Sequence, residues 1–135
     1  MLNFELPQTG VYEYVPRKRI RWGQAALDAV REEIDDTARL FILTTASLVN
    51  KTNIIDEMQR RLSTQCSGLF CEISEHTPFK DVVAAAQAAR NANANIILSV
   101  GGGSVIDAAK AVIICLRENI DTVEELAARI GKISE

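Results

Sequence analysis

The sequence predicts an α/β fold, a parallel sheet with helices on both faces preceded by a β-hairpin. Three observations carry that prediction. Short apolar segments alternate with helical segments of roughly 10–15 residues, the pattern that crossovers between parallel strands require. One of them, "RLFILT" (39–44), is apolar almost throughout, as a strand buried on both faces must be. Another, "IILSV" (96–100), runs into three glycines and leaves as a helix.

The elements follow in order. "GVYEYVPRKRIRWG" holds two β-branched and aromatic stretches, at 11–15 and 18–22, which read as a hairpin. Its "RKRIR" run alternates along the hairpin and reads as the solvated side of an edge strand, where positive charge deters edge-to-edge pairing. Trp22 reads as core. In "QAALDAVREEIDD", Leu27, Val30 and Ile34 share a helical face. After strand 39–44, "NKTNIIDEMQRRL" puts Ile54, Ile55, Met58 and Leu62 on one stripe. "LFCEI" (69–73) is the next strand, and "FKDVVAAAQAARNA" is a helix with Val82, Val83, Ala86 and Ala89 inward. Strand 96–100 follows, then a helix from Ser104 to about Arg117. Finally, Thr122 stands three residues before Glu125 as a capping box opens a helix, with Gly131 as its stop. The sum is a Rossmann-like domain spanning residues 1–135.

Composition narrows the function. With 135 residues, 47% of them hydrophobic, the chain can bury the core of one domain. A net charge of −3 argues against nucleic acid as the partner, because such domains carry a basic face. No apolar run approaches the roughly 18–20 residues of a membrane span, and "MLNFELPQTG" is not a signal peptide, so a cytoplasmic protein is expected. Cys66, Cys71 and Cys115 form no CxxC pair and read as reduced, small apolar residues. With His76 as its only histidine, the chain cannot supply a metal site of two or three histidines.

A glycine-rich turn at the carboxyl end of a parallel strand, opening a helix, makes an anion site. The first helical N–H groups have no partner within the helix and carry partial positive charge. Gly101, Gly102 and Gly103 remove the Cβ atoms that would hold a phosphate away. Ser104 is expected to cap the helix, or to turn its hydroxyl to a phosphate oxygen instead. Asp107 has capping-box spacing from Ser104 and i,i+3 spacing to Lys110, so these two are expected to brace the loop. Ile106 occupies the place of the last glycine in the GxGxxG dinucleotide fingerprint, which disfavours a standard dehydrogenase domain. His76 falls in a loop near the strands' carboxyl ends, within reach of a ligand or a structural hydrogen bond.

"GGGSVIDAAKAV" resembles the GGGSxxDxAKxx segment of the iron-containing alcohol dehydrogenases and their relatives, the maleylacetate reductases, glycerol dehydrogenases and dehydroquinate synthases, at Gly101, Gly102, Gly103, Ser104, Asp107, Ala109 and Lys110. "RIRWGQAALDAV", "FILTTASLV", "HTPF" and "NANIILSV" resemble further segments of the family, so the likeness runs along essentially all of the chain but only along the N-terminal half of a family member. The resemblance implies an NAD(P)-dependent oxidoreductase acting on an alcohol, aldehyde or ketone, with the dinucleotide's pyrophosphate along the glycine loop. It also implies a divalent metal, iron or zinc, in a helical second domain absent from this chain. No catalytic residue or metal ligand then falls here, and this chain alone is expected to be inactive. Gly101, Gly102, Gly103, Ser104, Asp107, Thr45 and Thr77 are the expected cofactor-binding residues, with Thr45 and Thr77 near the adenosine end. Thr45 stands where many members carry the Asp that bonds the adenosine ribose, leaving NAD against NADP open. "HTP" at 76–78 leans toward the maleylacetate reductases. A stand-alone nucleotide-binding or assembly module, a dehydroquinate synthase-like parent and a homodimer paired through the hairpin stay open.

Overall fold

The computed structural model describes residues 10–14 and 18–133, with side chains from Arg19 to Gly131. The chain forms two compact units, 1–36 and 37–135. In the first, β1 (Gly10–Tyr14) and β2 (Lys18–Trp22) pair antiparallel, with Gly10 opposite Trp22 and Tyr14 opposite Lys18. The hairpin is therefore present, while Val15, expected at the end of its first strand, lies outside the described residues. Helix α1 (Ala26–Glu33) follows and buries Leu27, while Val30 and Ile34 are half-buried. The arginines of the basic run are not merely solvated. Arg21 pairs with both Glu32 and Glu33 of α1, and Arg19 meets Glu33 at 3.3 Å. These pairs hold the Glu33 carboxyl below the usual glutamate range, mainly through the hydrogen bond from Arg21. Trp22, expected in the core, is half-buried.

The second unit is a three-stranded parallel sheet in the order β4-β3-β5, flanked by helices. Strand β3 (Leu40–Leu43) is central and buried throughout, as its unbroken apolar run requires. Phe41 and Leu43 point to one face, into a core made with Val82, Ala86 and Ala89 of α4 (Phe79–Asn91), Val105, Ala108 and Val112 of α5 (Gly103–Glu118), and Leu126 of α6 (Val123–Ile133). Leu40 and Ile42 alternate to the opposite face and are equally sealed from solvent. Small residues on α4 let it lie close to β4 and α5. The α5 thiol of Cys115 is buried in this core, which pushes its pKa up and suppresses its reactivity. Cys66 and Cys71 are half-buried free thiols.

Four sequence expectations need correction. Strand β4 runs Cys66–Phe70, three residues before the expected 69–73, because Ser67 donates its hydroxyl to the Leu40 carbonyl at 3.0 Å and Gly68 makes room for the Phe41 ring. A six-residue helix, α2 (Ala46–Lys51), separates β3 from α3 (Ile54–Leu62) and was not foreseen. Ile54 sits 44% exposed at the start of α3, so the buried stripe is Ile55, Met58 and Leu62 alone. Helix α6 passes through Gly131 to Ile133 instead of stopping there. Its start is close to expectation. Thr122 Oγ1 accepts from the Glu125 N–H at 3.2 Å, but the Glu125 carboxylate returns to the Asp121 N–H, one residue earlier than a capping box places it.

Candidate functional site

In the order β4-β3-β5 the chain steps from β3 to β4 and then back past β3 to β5, so right-handed crossovers put the two connections on opposite faces of the sheet. The carboxyl ends of β3 and β5 therefore flank a switch point, where ligands of open α/β sheets bind. Thr44 fixes this corner. Its N–H donates to the Phe70 carbonyl at 3.0 Å, its hydroxyl donates to the Val100 carbonyl at 2.8 Å, and the Val100 N–H donates to Leu43 at 2.9 Å. Two backbone bonds and one hydroxyl bond thus tie the three strand ends together, and the fully buried Thr44 hydroxyl has its hydrogen bond made.

The glycine loop leaves from that corner. Gly101 has φ +146°, where a side chain would be strained, and a Cβ there would approach Val105 Cγ2 to 3.0 Å. Gly102 and Gly103 differ, because a Cβ on either would meet nothing within 4 Å. Nothing in the packing of the described residues requires these two to be glycine, and the space their side chains would fill is open among them. Ile106 is the first residue of α5 whose N–H finds a helical acceptor, the Gly102 carbonyl at 3.2 Å. The N–H groups of Gly103, Ser104 and Val105 are left at the positive end of the helix dipole. Open space beside unpaired N–H groups at a helix start can take an anion.

The roles expected of Ser104 and Asp107 change. The helix begins at Gly103 with Gly102 as its N-cap, so Ser104 is inside the first turn and makes no capping bond. Its hydroxyl is free of that duty and beside the open cradle. Asp107 then cannot close a capping box. It pairs with Lys110 at 3.6 Å, as expected, but both side chains are largely exposed and the pair contributes little stability.

Thr45 and Thr77 reach the loop from different directions. Thr45 caps α2, its Oγ1 accepting from the Leu48 N–H at 3.3 Å, and lines a cleft of about 550 Å³ with Ser47, Glu72, Ser74 and Ser104. Thr77 lines a second cleft of about 470 Å³ with His76, Asp107 and Ser104, floored by Phe79, Val82 and Ile130. Ser104 is the wall the two clefts share. His76 is exposed at the mouth of the second. Both His76 and Thr77 have left-handed backbones, at φ 62° and 48°, and the Thr77 hydroxyl donates to the Ser104 carbonyl at 2.8 Å. The turn is closed below by Asp81, which accepts from both the N–H and the hydroxyl of Ser74.

Glu72 was missed by sequence reasoning, which read it as an inner strand residue. It instead follows β4 and forms an isolated antiparallel bridge with Thr45. Among the described residues, no three His, Cys, Asp or Glu side chains converge as metal ligands, and no helix is long and apolar enough to cross a membrane.

Comparison with known proteins gives consistent findings. The family model of iron-containing alcohol dehydrogenases matches residues 16–134. The NADPH-dependent aldehyde reductase YqhD of Escherichia coli is 30% identical over 76% of the chain, and a maleylacetate reductase of Sphingobium indicum is 30% identical over 76%. The chain spans 27% and 28% of those proteins, about a quarter of each. The crystal structure of E. coli YqhD superimposes on 66% of the chain with a TM-score of 0.58 at 28% identity, using 23% of its own length.

Proposed function

The chain belongs to the iron-containing alcohol dehydrogenase family, and we propose that it is the part of such an oxidoreductase that holds the nicotinamide dinucleotide. One observation supports this above the others. Gly102 and Gly103 face open space at the start of α5, beside N–H groups that the helix leaves unpaired. A turn that only joined a strand to a helix would need a glycine at Gly101 and no more. The pyrophosphate lies on Gly101, Gly102, Gly103 and Ser104, where the helix dipole and the loop N–H groups balance its charge. The adenosine extends past Thr45; Thr77, expected near the same end, instead lines with His76 the cleft on the other side of Ser104, and the nicotinamide end is assigned to that cleft. Asp107 and Lys110 stand at the rim as a neutral pair.

When bound, the nicotinamide supplies or accepts the hydride exchanged with an alcohol, aldehyde or ketone. The chain's own residues bind the cofactor and orient it. A divalent metal, iron or zinc, would be held by residues outside this chain. The 135 residues alone are therefore inactive. The "HTP" turn and the maleylacetate reductase relative together favour a substrate of that class. The test is calorimetric titration of NADH and NADPH into the chain. Saturable binding of at least one is expected, and saturation by neither would overturn the reading.

A further inference from the structure

We propose that Glu72 recognises the ribose hydroxyls of the adenosine half and thereby selects NAD over NADP. The inference rests on the dinucleotide reading above and goes beyond it by choosing between the two dinucleotides. In doubly wound domains a carboxylate takes the 2′-hydroxyl of that ribose, whereas an arginine accommodates a 2′-phosphate. At the end of β3 this chain offers no carboxylate, only Thr45, whose oxygen already accepts from Leu48. The segment that follows the neighbouring strand β4 supplies one, Glu72. The antiparallel bridge between Thr45 and Glu72 sets their Cα atoms about 4.5–5.5 Å apart. The glutamate side chain lines the same cleft as Thr45, Ser47 and Ser104. Because Ser104 also belongs to the glycine loop, a dinucleotide with its pyrophosphate on the glycines has this cleft beside it for its ribose.

The charge of the lining decides between the ligands. The hydroxyls of Thr45 and Ser47 can bond a diol or a phosphate equally well and do not discriminate, and the Ser74 hydroxyl already donates to Asp81. The charged residues of the wall are Glu72 and Glu75, with no lysine, arginine or histidine among its described lining residues. A 2′-phosphate there would face carboxylates without a cationic partner, whereas a diol would find acceptors.

NADH and NADPH differ by that one phosphate, so the test titrates both into the 135-residue chain and into Glu72→Gln. Glu72 is exposed, and matched thermal melts of the two proteins confirm that the substitution leaves the fold intact. The expected result is at least tenfold tighter binding of NADH by the parent. In Glu72→Gln, NADH binds several-fold more weakly while NADPH binds no worse, and a parallel loss of preference for ADP over 2′-deoxy-ADP locates the effect at the hydroxyl. NADPH binding as tightly as NADH in the parent would overturn the proposal, as would an unchanged NADH-to-NADPH ratio in the variant. If neither dinucleotide binds the parent, the dinucleotide reading itself falls and the role of Glu72 with it.

Discussion

The hydroxyl of Thr77 donates to the carbonyl of Ser104 at 2.8 Å, from a residue held at φ 48°. A β-branched residue in the left-handed region is strained by roughly 1–2 kcal/mol, and the hydrogen bond returns about 1 kcal/mol. The bond ties the His76–Thr77 turn to the first turn of α5, so the two clefts that meet at Ser104 keep a common wall.

The two terms separate by substitution. Thr77→Val loses the hydroxyl and keeps the strain, so it should lower stability by about 1–2 kcal/mol. Thr77→Gly loses the same bond but relaxes the backbone, and should be about 1 kcal/mol more stable than Thr77→Val. Urea denaturation of the two variants beside the parent gives the order. Equal midpoints for valine and glycine would show that φ 48° carries no strain.

Packing around the central strand gives a second expectation. A Cβ at Gly68 would come within 2.8 Å of the Phe41 ring, and Phe41 is only 2% exposed, so the ring has nowhere to go. Gly68→Ala should destabilise the chain by about 1–3 kcal/mol, read as a lower urea midpoint at unchanged slope.

How much of this was legible in the sequence depends on where the signal came from. The apolar run of β3 and the Ala-rich face of α4 declared themselves, because burial on both faces and close helix packing leave few residue types to choose from. The position of β4 was hidden, since Ser67 and Gly68 look like loop residues until the Leu40 carbonyl and the Phe41 ring are beside them. Helix α2 is too short to show a period, and only the Thr45 cap announces it. At the glycine loop the sequence identified the element but misplaced the helix start, because Ser104 is the better capping residue by type. The cap lies two residues sooner, at Gly102. Glu72 carried no local signal at all, because its place beside Thr45 comes from strand pairing across the sheet.

The join between α5 and α6 has an acid-sensitive pair. Arg129 donates to Glu118 at 2.6 Å, and that hydrogen bond chiefly holds the Glu118 carboxyl below its usual 4.5. A carboxyl with a lowered folded-state pKa adds stability above 4.5 and loses it as the pH falls through its folded value. Denaturation midpoints on either side of that window should therefore fall less for Glu118→Gln than for the parent. High salt should narrow the difference, because the pair lies at the surface.

The most direct test of the cofactor cradle is to fill it. Gly102 has φ −92° and ψ −160°, an extended conformation open to any residue, and among the described residues nothing beyond its chain neighbours lies within 4 Å of a Cβ there. Gly102→Val should therefore leave stability within about 1 kcal/mol of the parent, while NADH binding measured calorimetrically weakens by a factor on the order of ten or more. A variant that is as stable as the parent and binds NADH equally well would contradict the claim that this space is kept for the pyrophosphate.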